Sequence, residues 1–232
     1  MPEIETYSIP GFTEPVNCFS HLFAAGVFAV LGVLLVRKGR GNRYRVISLC
    51  VFAASSVLIL SLSGVYHLLA MGGGGRAVLQ RLDHAGIFML IAGTFTPIHT
   101  ILFKGAWRWG VIVFVWTAAI TGITLKTVFF AGIPEWLGLV FYLGFGWMGA
   151  ISAGMIWRKH GFKFVSPLLW GALSYTAGAA LDILRVPVLI PGVIGAHELF
   201  HFCVIAGIAF HLSFIHTFAH GDPLTMQKAE SE

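Results

Sequence analysis

The sequence predicts an all-α integral membrane protein that folds as a seven-transmembrane helix bundle. Of its 232 residues, 57% are hydrophobic and only 11% are charged. Soluble domains contain about 25% charged residues, so roughly half of the usual charge is missing. The chain also contains seven apolar segments, each reaching the length of about 20 residues that a bilayer-spanning helix needs. The three cysteines are scattered, so neither a disulfide framework nor a cysteine metal site is expected.

Charged residues, glycines and prolines separate the apolar segments in order along the chain. The first ends at RKGRGNRYR (37–45), GGGGRAVLQR (72–81) separates the second from the third, and KGAWR (104–108) ends the third. The later boundaries are IPE (133–135), RKHGFK (158–163) and VPVLIPGVIG (186–195). Backbone inside a bilayer must satisfy its own hydrogen bonds, so each segment is expected to be a helix.

The expected spans are residues 18–36, 46–69, 85–103, 109–130, 136–157, 165–184 and 196–219. Together they form one transmembrane domain at 18–219, between a short polar N-terminal segment at 1–17 and a polar C-terminal tail at 220–232. The N-terminal segment lacks the basic region and the apolar core of a signal peptide, so no cleavage is expected.

Lys and Arg are distributed unevenly between the two sides of the membrane. Ten of the fifteen lie in the loops after the first, third and fifth spans. Positive charge marks the cytoplasmic side, so we expect the N-terminus outside and the C-terminus in the cytoplasm. The net charge of +5 is therefore interpreted as a topology signal, and no nucleic-acid partner is expected.

The stretch 197-HELFH-201 at the start of the seventh span fits the H-E-x-x-H pattern of zinc proteases. His197 and His201 are one helical turn apart on one face, and two such imidazoles with a third form a zinc site that leaves a fourth position for water. Beyond His201, acidic residues occur only in the hydrophilic tail, so an acidic third ligand inside the membrane is missing. The pattern therefore predicts a zinc site that is not a protease, and the alternative is a pair of histidines that hydrogen-bond between helices.

Polar residues collect at one side of the predicted bundle. With seven spans, the starts of the first, third and seventh and the ends of the second and sixth lie on that side. Ionisable groups at membrane depth are unfavourable, so a one-sided cluster predicts a functional site. Its members are Glu14, Asn17, His21, Ser63, His67, Asp83, His84, Asp182, Arg185, His197, Glu198 and His201.

Several members of this cluster have an alternative, structural role. Asp83 and Glu198 are candidates to hold a water molecule and accept its proton, but Asp83 also suits the N-terminus of a helix. Ser63 repeats the one-turn spacing with His67, although a serine in a membrane helix often bonds its own backbone. Asp182 and Arg185 have the spacing of an ion pair within one helix.

Four motifs in order resemble the hemolysin III branch of the progestin and adipoQ receptor family. They are E-x-x-N-x-x-x-H from Glu14, S-x-x-x-H from Ser63, 82-LDHAGIFMLIAGTFTP-97 and 196-AHELFHFCVIAG-207. The resemblance runs from about residue 14 to residue 216, and adiponectin receptors and alkaline ceramidases are more distant relatives. It implies a bacterial plasma membrane as the location. Adiponectin receptors have the N-terminus inside, opposite to the orientation that the charges predict here.

The resemblance also implies the roles of individual residues. Zinc is held near one face of the bundle by His67, His197 and His201, Asp83 contacts a water molecule at the metal, and Ser63 lies close by. Glu198 is then a second base or orients a histidine. Glu14, Asn17 and His21 surround the rim of the site.

Two functions follow as hypotheses. The first is a zinc-dependent hydrolase of a lipid amide or ester, with the acyl chain of a membrane lipid between apolar helices. The second is a non-enzymatic sensor or regulator of membrane lipid state in which the zinc is structural. A pore is the weakest alternative, because the polar residues lie at one end rather than along a continuous stripe.

Overall fold

Helices form where the sequence places its apolar segments. The computed structural model describes residues 11–230, without the side chains at position 135 and positions 227–230. Its helices are α1 (Pro15–Lys38), α2 (Arg43–Leu68), α3 (Gly74–Leu102), α4 (Gly105–Val128), α5 (Glu135–Trp147), α6 (Gly149–His160), α7 (Phe162–Leu184), α8 (Ala196–Phe218) and α9 (Pro223–Glu230). Within this part of the chain, seven segments are long and apolar enough to cross a membrane, and α5 and α6 together form the fifth. The predicted seven-helix membrane protein is confirmed.

The largest difference from the predicted boundaries is at the start of α3. The expected span began at residue 85, whereas the helix begins at Gly74 and includes most of the glycine-rich segment. Arg76 in the added turns is buried, and its Nη1 donates to the carbonyl oxygens of Tyr66 at 3.1 Å and Leu69 at 2.6 Å. These bonds stabilise a helical start that hydropathy alone assigns to a loop.

The other differences are smaller. The fifth span is interrupted at Met148, which keeps helical backbone angles of φ −57° and ψ −25°. Helix α9 lies within the segment expected to be a polar tail. Of the expected N-terminal segment, the first ten residues lie outside the described part of the chain, as do the last two residues of the tail.

Helix α3 is the central helix of the bundle. In its most apolar stretch 72% of the residues are buried inside the protein, against 17–44% in the other spans. Its main neighbours are α2 and α4, while α1 packs against α2 and α7 packs against α8. The outer helices expose large apolar side chains, such as Phe23, Val30 and Ile151, at the surface that lipid covers.

Small residues allow α7 and α8 to approach closely. A Cβ atom on Gly171 would lie 2.3 Å from the His211 ring, and one on Gly207 would lie 2.5 Å from the Tyr175 ring. Each glycine therefore receives a ring from the opposite helix. This packing fixes the rotation of α8, and with it the direction of the histidines at its start.

Candidate metal centre

Three histidines from two helices converge at one end of the bundle. His67 lies in the last turn of α2, and His197 and His201 lie in the first two turns of α8. One ring nitrogen from each lies within 4.8 Å of the others, a set that could hold a metal ion. The Nε2 atoms of His197 and His201 are 3.1 Å apart. The structure thus brings together the three residues that the sequence predicted as ligands.

The Nδ1 atom of each histidine has a partner on a different helix or segment. His67 Nδ1 contacts the carboxylate of Glu14, His197 Nδ1 lies 3.0 Å from Asp182 Oδ1, and His201 Nδ1 lies 3.1 Å from His21 Nε2. A carboxylate accepts a hydrogen bond from the nitrogen that it faces, so the first two contacts favour Nδ1–H tautomers for His67 and His197 and leave their Nε2 lone pairs available to a metal. Metal-ligating histidines commonly have this arrangement, with the second nitrogen oriented by an acid or another acceptor.

The positions of the Nε2 atoms are explained better by metal coordination than by hydrogen bonds between the histidines. His67 Nε2 is buried and has no hydrogen-bond partner among the described residues. The Nε2 atoms of His197 and His201 lie 3.1 Å apart, and in the Nδ1–H tautomers a cation between them would receive a lone pair from each. Zn–N distances of about 2.0–2.1 Å and tetrahedral angles separate two nitrogen ligands by about 3.3 Å, close to this spacing. The donor set therefore suits a divalent cation that prefers imidazole.

Glu14 anchors His67 and is itself anchored by Arg76. One carboxylate oxygen contacts His67 Nδ1 and the other contacts Arg76 Nη2. Burial by itself raises the pKa of Glu14, but the hydrogen bonds and charges of His67 and Arg76 outweigh it and lower the pKa from 4.5 to about 2. The carboxylate therefore stays ionised and keeps its acceptor directed at the histidine. Arg76 was absent from the predicted cluster, because its glycine-rich surroundings look like a loop.

Asp182 has a partner in addition to the one that its spacing suggested. Arg185 lies at the end of α7 with a left-handed φ of 56°, and its charge stabilises the Asp182 carboxylate. Asp182 also accepts the hydrogen bond of His197. Asp182 thus belongs to the histidine site, a role that its sequence position alone did not reveal.

Asp83 and Ser63 lie beside the histidines. The Asp83 carboxylate interacts with the Ser63 hydroxyl and with the charge of His197. Ser63 Oγ is buried and makes no hydrogen bond of good geometry with the described residues, so it does not bond its own backbone. His84, which follows Asp83, directs Nδ1 at its own helix, 2.8 Å from the Gln80 carbonyl oxygen. The structure therefore brings Asp83 and Ser63 to the same end of the bundle as the histidines, and their catalytic role stays a prediction.

Glu198, the glutamate of the H-E-x-x-H pattern, contacts the backbone amide of Gly195 and a side chain of α1. Its Oε2 accepts from the Gly195 amide at 2.8 Å, which caps the start of α8, and its Oε1 accepts from Asn17 Nδ2 at 3.0 Å. Neither carboxylate oxygen has a hydrogen bond to a histidine among the described residues. Glu198 and Asn17 therefore join α1 to α8 and support the position of His197 and His201.

An apolar cavity of about 160 Å³ begins next to this site and runs into the bundle between α3, α5, α6, α7 and α8. At its near end lie Phe200, with its ring 5.3 Å from the His201 ring, and Ile87, one turn after Asp83. Tyr142 also lines it and interacts electrostatically with Asp83. Its far end reaches His99 and Ser152. The cavity can accommodate an apolar chain whose polar end lies at the histidines.

Known proteins resemble this chain over most of its length. The "Haemolysin-III related" family model matches residues 11–212. "Hemolysin-3 homolog" of Bacillus subtilis (strain 168) is 26% identical over 84% of this chain and 89% of its own length. "Hemolysin-3" of Bacillus cereus is 27% identical over 84% of this chain and 87% of its own length.

A plant protein is similar over a shorter region. "Heptahelical transmembrane protein ADIPOR1" of Oryza sativa subsp. japonica is 29% identical over 69% of this chain, which spans 47% of the plant protein. No solved structure matches the chain significantly. The bacterial relatives support a bacterial membrane as the location, and the family match confirms the resemblance that the four motifs suggested. The chain, a multi-pass membrane protein with a histidine triad that could hold a metal ion, belongs to the haemolysin III-related family.

Proposed function

We propose that this protein is a zinc-dependent hydrolase that cleaves an amide or ester bond of a membrane lipid. The observation that carries the proposal is the convergence of three histidine nitrogens, with an aspartate beside them, near one end of an apolar cavity. His67, His197 and His201 hold the metal, and three protein ligands are typical of a catalytic zinc site with an open fourth position. When bound, Zn²⁺ supplies a Lewis acid that polarises an acyl carbonyl and lowers the pKa of a water molecule.

The remaining steps belong to side chains of this chain. Asp83 orients the attacking water molecule and accepts its proton, as a general base within hydrogen-bond reach does. Ser63, whose hydroxyl lies beside the Asp83 carboxylate, donates a hydrogen bond to the carbonyl oxygen as negative charge develops there. The proton held by Asp83 then passes to the leaving amine or alcohol.

The cavity supports a lipid rather than a water-soluble substrate. Along α3 its lining extends from Ile87 to His99, a rise of about 18 Å, which gives the cavity the elongated form of an acyl chain. Its walls are mostly aliphatic and aromatic, for example Leu90, Leu139 and Val204. Binding the acyl chain there places its carbonyl group at the near end, beside the histidines.

A second function is favoured by the number of helices that meet at the histidines. Through Glu14, His21 and Asp182, the triad connects α2 and α8 to the first helix and to α7. A metal at the triad would then hold these helices together, and the protein would sense or regulate membrane lipid state without catalysis. A fourth protein ligand distinguishes this function, because closed zinc sites are structural.

The experiment is to measure zinc per chain, by mass spectrometry of the metal, in detergent-purified protein. Wild type is compared with His67→Ala, His201→Ala and Asp83→Asn, and His99→Ala serves as a control that removes a buried histidine from the other half of the bundle. We expect about one zinc per chain in wild type, His99→Ala and Asp83→Asn, and none in the two triad variants.

A screen of the same samples against lipid amides and esters tests catalysis. Hydrolysis by wild type that disappears in zinc-loaded Asp83→Asn supports the proposed base. Zinc loss in Asp83→Asn would indicate direct ligation and favour the structural function. A wild-type protein without zinc, purified in the absence of chelators, would refute both.

A further inference from the structure

A second polar pocket, here called the basic pocket, lies at the opposite end of the bundle from the histidines. It has a volume of about 580 Å³ and lies between the starts of α2 and α4, the ends of α3 and α6, and the segment that begins α9. Arg45 in its wall and His67 in the triad lie at the two ends of α2, about 33 Å apart by helical rise. The basic pocket is therefore separate from the proposed metal centre.

The basic pocket carries an excess of positive charge. Four cationic side chains line it, those of Arg45, Lys104, Arg108 and Lys159, against one lining carboxylate, that of Asp222. This carboxylate is already engaged, because one oxygen pairs with Lys159 and the other accepts from the Leu224 amide at 3.1 Å to begin α9. Arg45, Lys104 and Arg108 are left without an acidic partner among the lining residues.

Buried donors in this pocket lack acceptors. Arg45 Nε is buried without a hydrogen-bond partner among the described residues, although its Nη groups are held by the carbonyl oxygens of His220 and Arg40. The His160 side chain is only 4% exposed, and its Nε2 has no hydrogen bond within the described part of the chain and lies 3.6 Å from Asp222. Both of these nitrogen atoms have almost no accessible surface, so the cations that a ligand in this pocket can reach are those of Lys104, Arg108 and Lys159.

The geometry points to a phosphate group as the ligand. We propose that the basic pocket binds a phosphate anion, which in a membrane comes from the headgroup of an anionic phospholipid and otherwise from free phosphate. Guanidinium and ammonium groups form charge-assisted hydrogen bonds to phosphate oxygens, and the Nε of Arg108 is fixed by the Phe103 carbonyl oxygen at 2.8 Å.

The surroundings favour the lipid as the source. Ile101, Trp107 and Met155 give the same pocket an apolar wall that suits the glycerol and upper acyl region of a phospholipid. Tryptophan at the end of a span is typical of the headgroup level, and basic pockets between transmembrane helices bind anionic headgroups. This binding site does not depend on the proposed hydrolase activity.

The experiment measures the affinity of the detergent-purified full chain for dioctanoyl phosphatidylglycerol, with dioctanoyl phosphatidylcholine and inorganic phosphate as the comparison ligands. The variants are Arg108→Gln and Lys104→Gln, singly and together, and Lys163→Gln is the matched control. Lys163 is an exposed base near the same end of the bundle but does not line the basic pocket. We expect tighter binding of phosphatidylglycerol than of phosphatidylcholine, a loss of about tenfold or more in the double variant, and wild-type affinity in Lys163→Gln.

Competition with inorganic phosphate distinguishes a phospholipid headgroup from free phosphate as the ligand. Competition by millimolar inorganic phosphate for phosphatidylglycerol would assign free phosphate to the site, and binding of the lipid without such competition would assign the headgroup. Equal affinity for the two lipids, or equal losses in Lys163→Gln and the double variant, would overturn the proposal, because either result indicates diffuse attraction by the basic loops. Circular dichroism of each variant confirms that the bundle remains folded.

Discussion

Replacing Glu14 tests whether the carboxylate that orients His67 strengthens metal binding at the histidine triad. In the double variant Glu14→Gln/Arg76→Gln, the charge that holds His67 Nδ1 is removed together with its buried cationic partner. The appropriate reference is Arg76→Gln alone, which keeps the carboxylate beside His67. Either single change breaks the buried pair, which destabilises proteins by about 3–5 kcal/mol. In Arg76→Gln, however, the Glu14 carboxylate still has His67 as a partner, whereas in Glu14→Gln the Arg76 guanidinium keeps no acidic partner among the described residues.

The size of the effect follows from burial. Removing a group that orients a metal-ligating histidine weakens metal binding by about 10–100-fold. The side chains of His67 and Glu14 are 2% and 11% exposed, whereas those of His197 and Asp182 are 40% and 30% exposed. Solvent weakens the second pair more, so we expect a loss near 100-fold, or about 2.7 kcal/mol, for the Glu14 change. Asp182→Asn should lose about tenfold, because the more exposed pair of His197 and Asp182 is weakened by solvent.

The assay is competition for zinc with a chelating fluorophore in detergent, alongside circular dichroism to confirm folding. The ratio of zinc dissociation constants between Glu14→Gln/Arg76→Gln and Arg76→Gln gives the contribution of the carboxylate. A ratio near one, with both variants folded, would refute the assignment of Glu14 as the group that orients His67. A larger loss in Asp182→Asn than in the Glu14 variant would refute the argument from burial.

Three further outcomes are expected. Asp83→Asn should retain zinc while lipid hydrolysis falls by about 10²–10⁴-fold, measured by product release under saturating zinc. Glu198→Gln should retain both zinc and hydrolysis but lower the stability of the fold by about 0.5–1.5 kcal/mol, measured by thermal unfolding, because glutamine has one acceptor oxygen and cannot accept from both the Gly195 amide and Asn17. Gly207→Ala should lower the unfolding temperature, since its Cβ would lie 2.5 Å from the Tyr175 ring, and the overpacking corresponds to about 1–3 kcal/mol. Gly26→Ala, where nothing lies within 4 Å of the added atom, should leave that temperature unchanged.

The amino-acid sequence by itself determined the class of the protein and the end of the bundle that carries the polar cluster. Apolar length predicts spans because a bilayer imposes its thickness on every helix that crosses it. Successive spans cross the membrane in opposite directions, which places the end of α2 and the starts of α3 and α8 on the same side. His67 and His201 could therefore be grouped without coordinates. The one-turn spacing of His197 and His201 needs only a helix.

Tertiary structure decided which side chain orients which histidine. Glu14 reaches His67, Asp182 reaches His197 and His21 reaches His201, each across two separate helices or segments. Such pairings depend on the rotation of each helix about its axis and on its distance from its neighbour. The rotation and the distance are set by packing, for example by the close contact of the Tyr175 ring on α7 with Gly207 on α8. The spacing of residues along one helix does not contain this information. Tertiary contacts also buried Arg76, in what hydropathy indicated was a loop, because its carboxylate partner Glu14 lies 62 residues away along the chain.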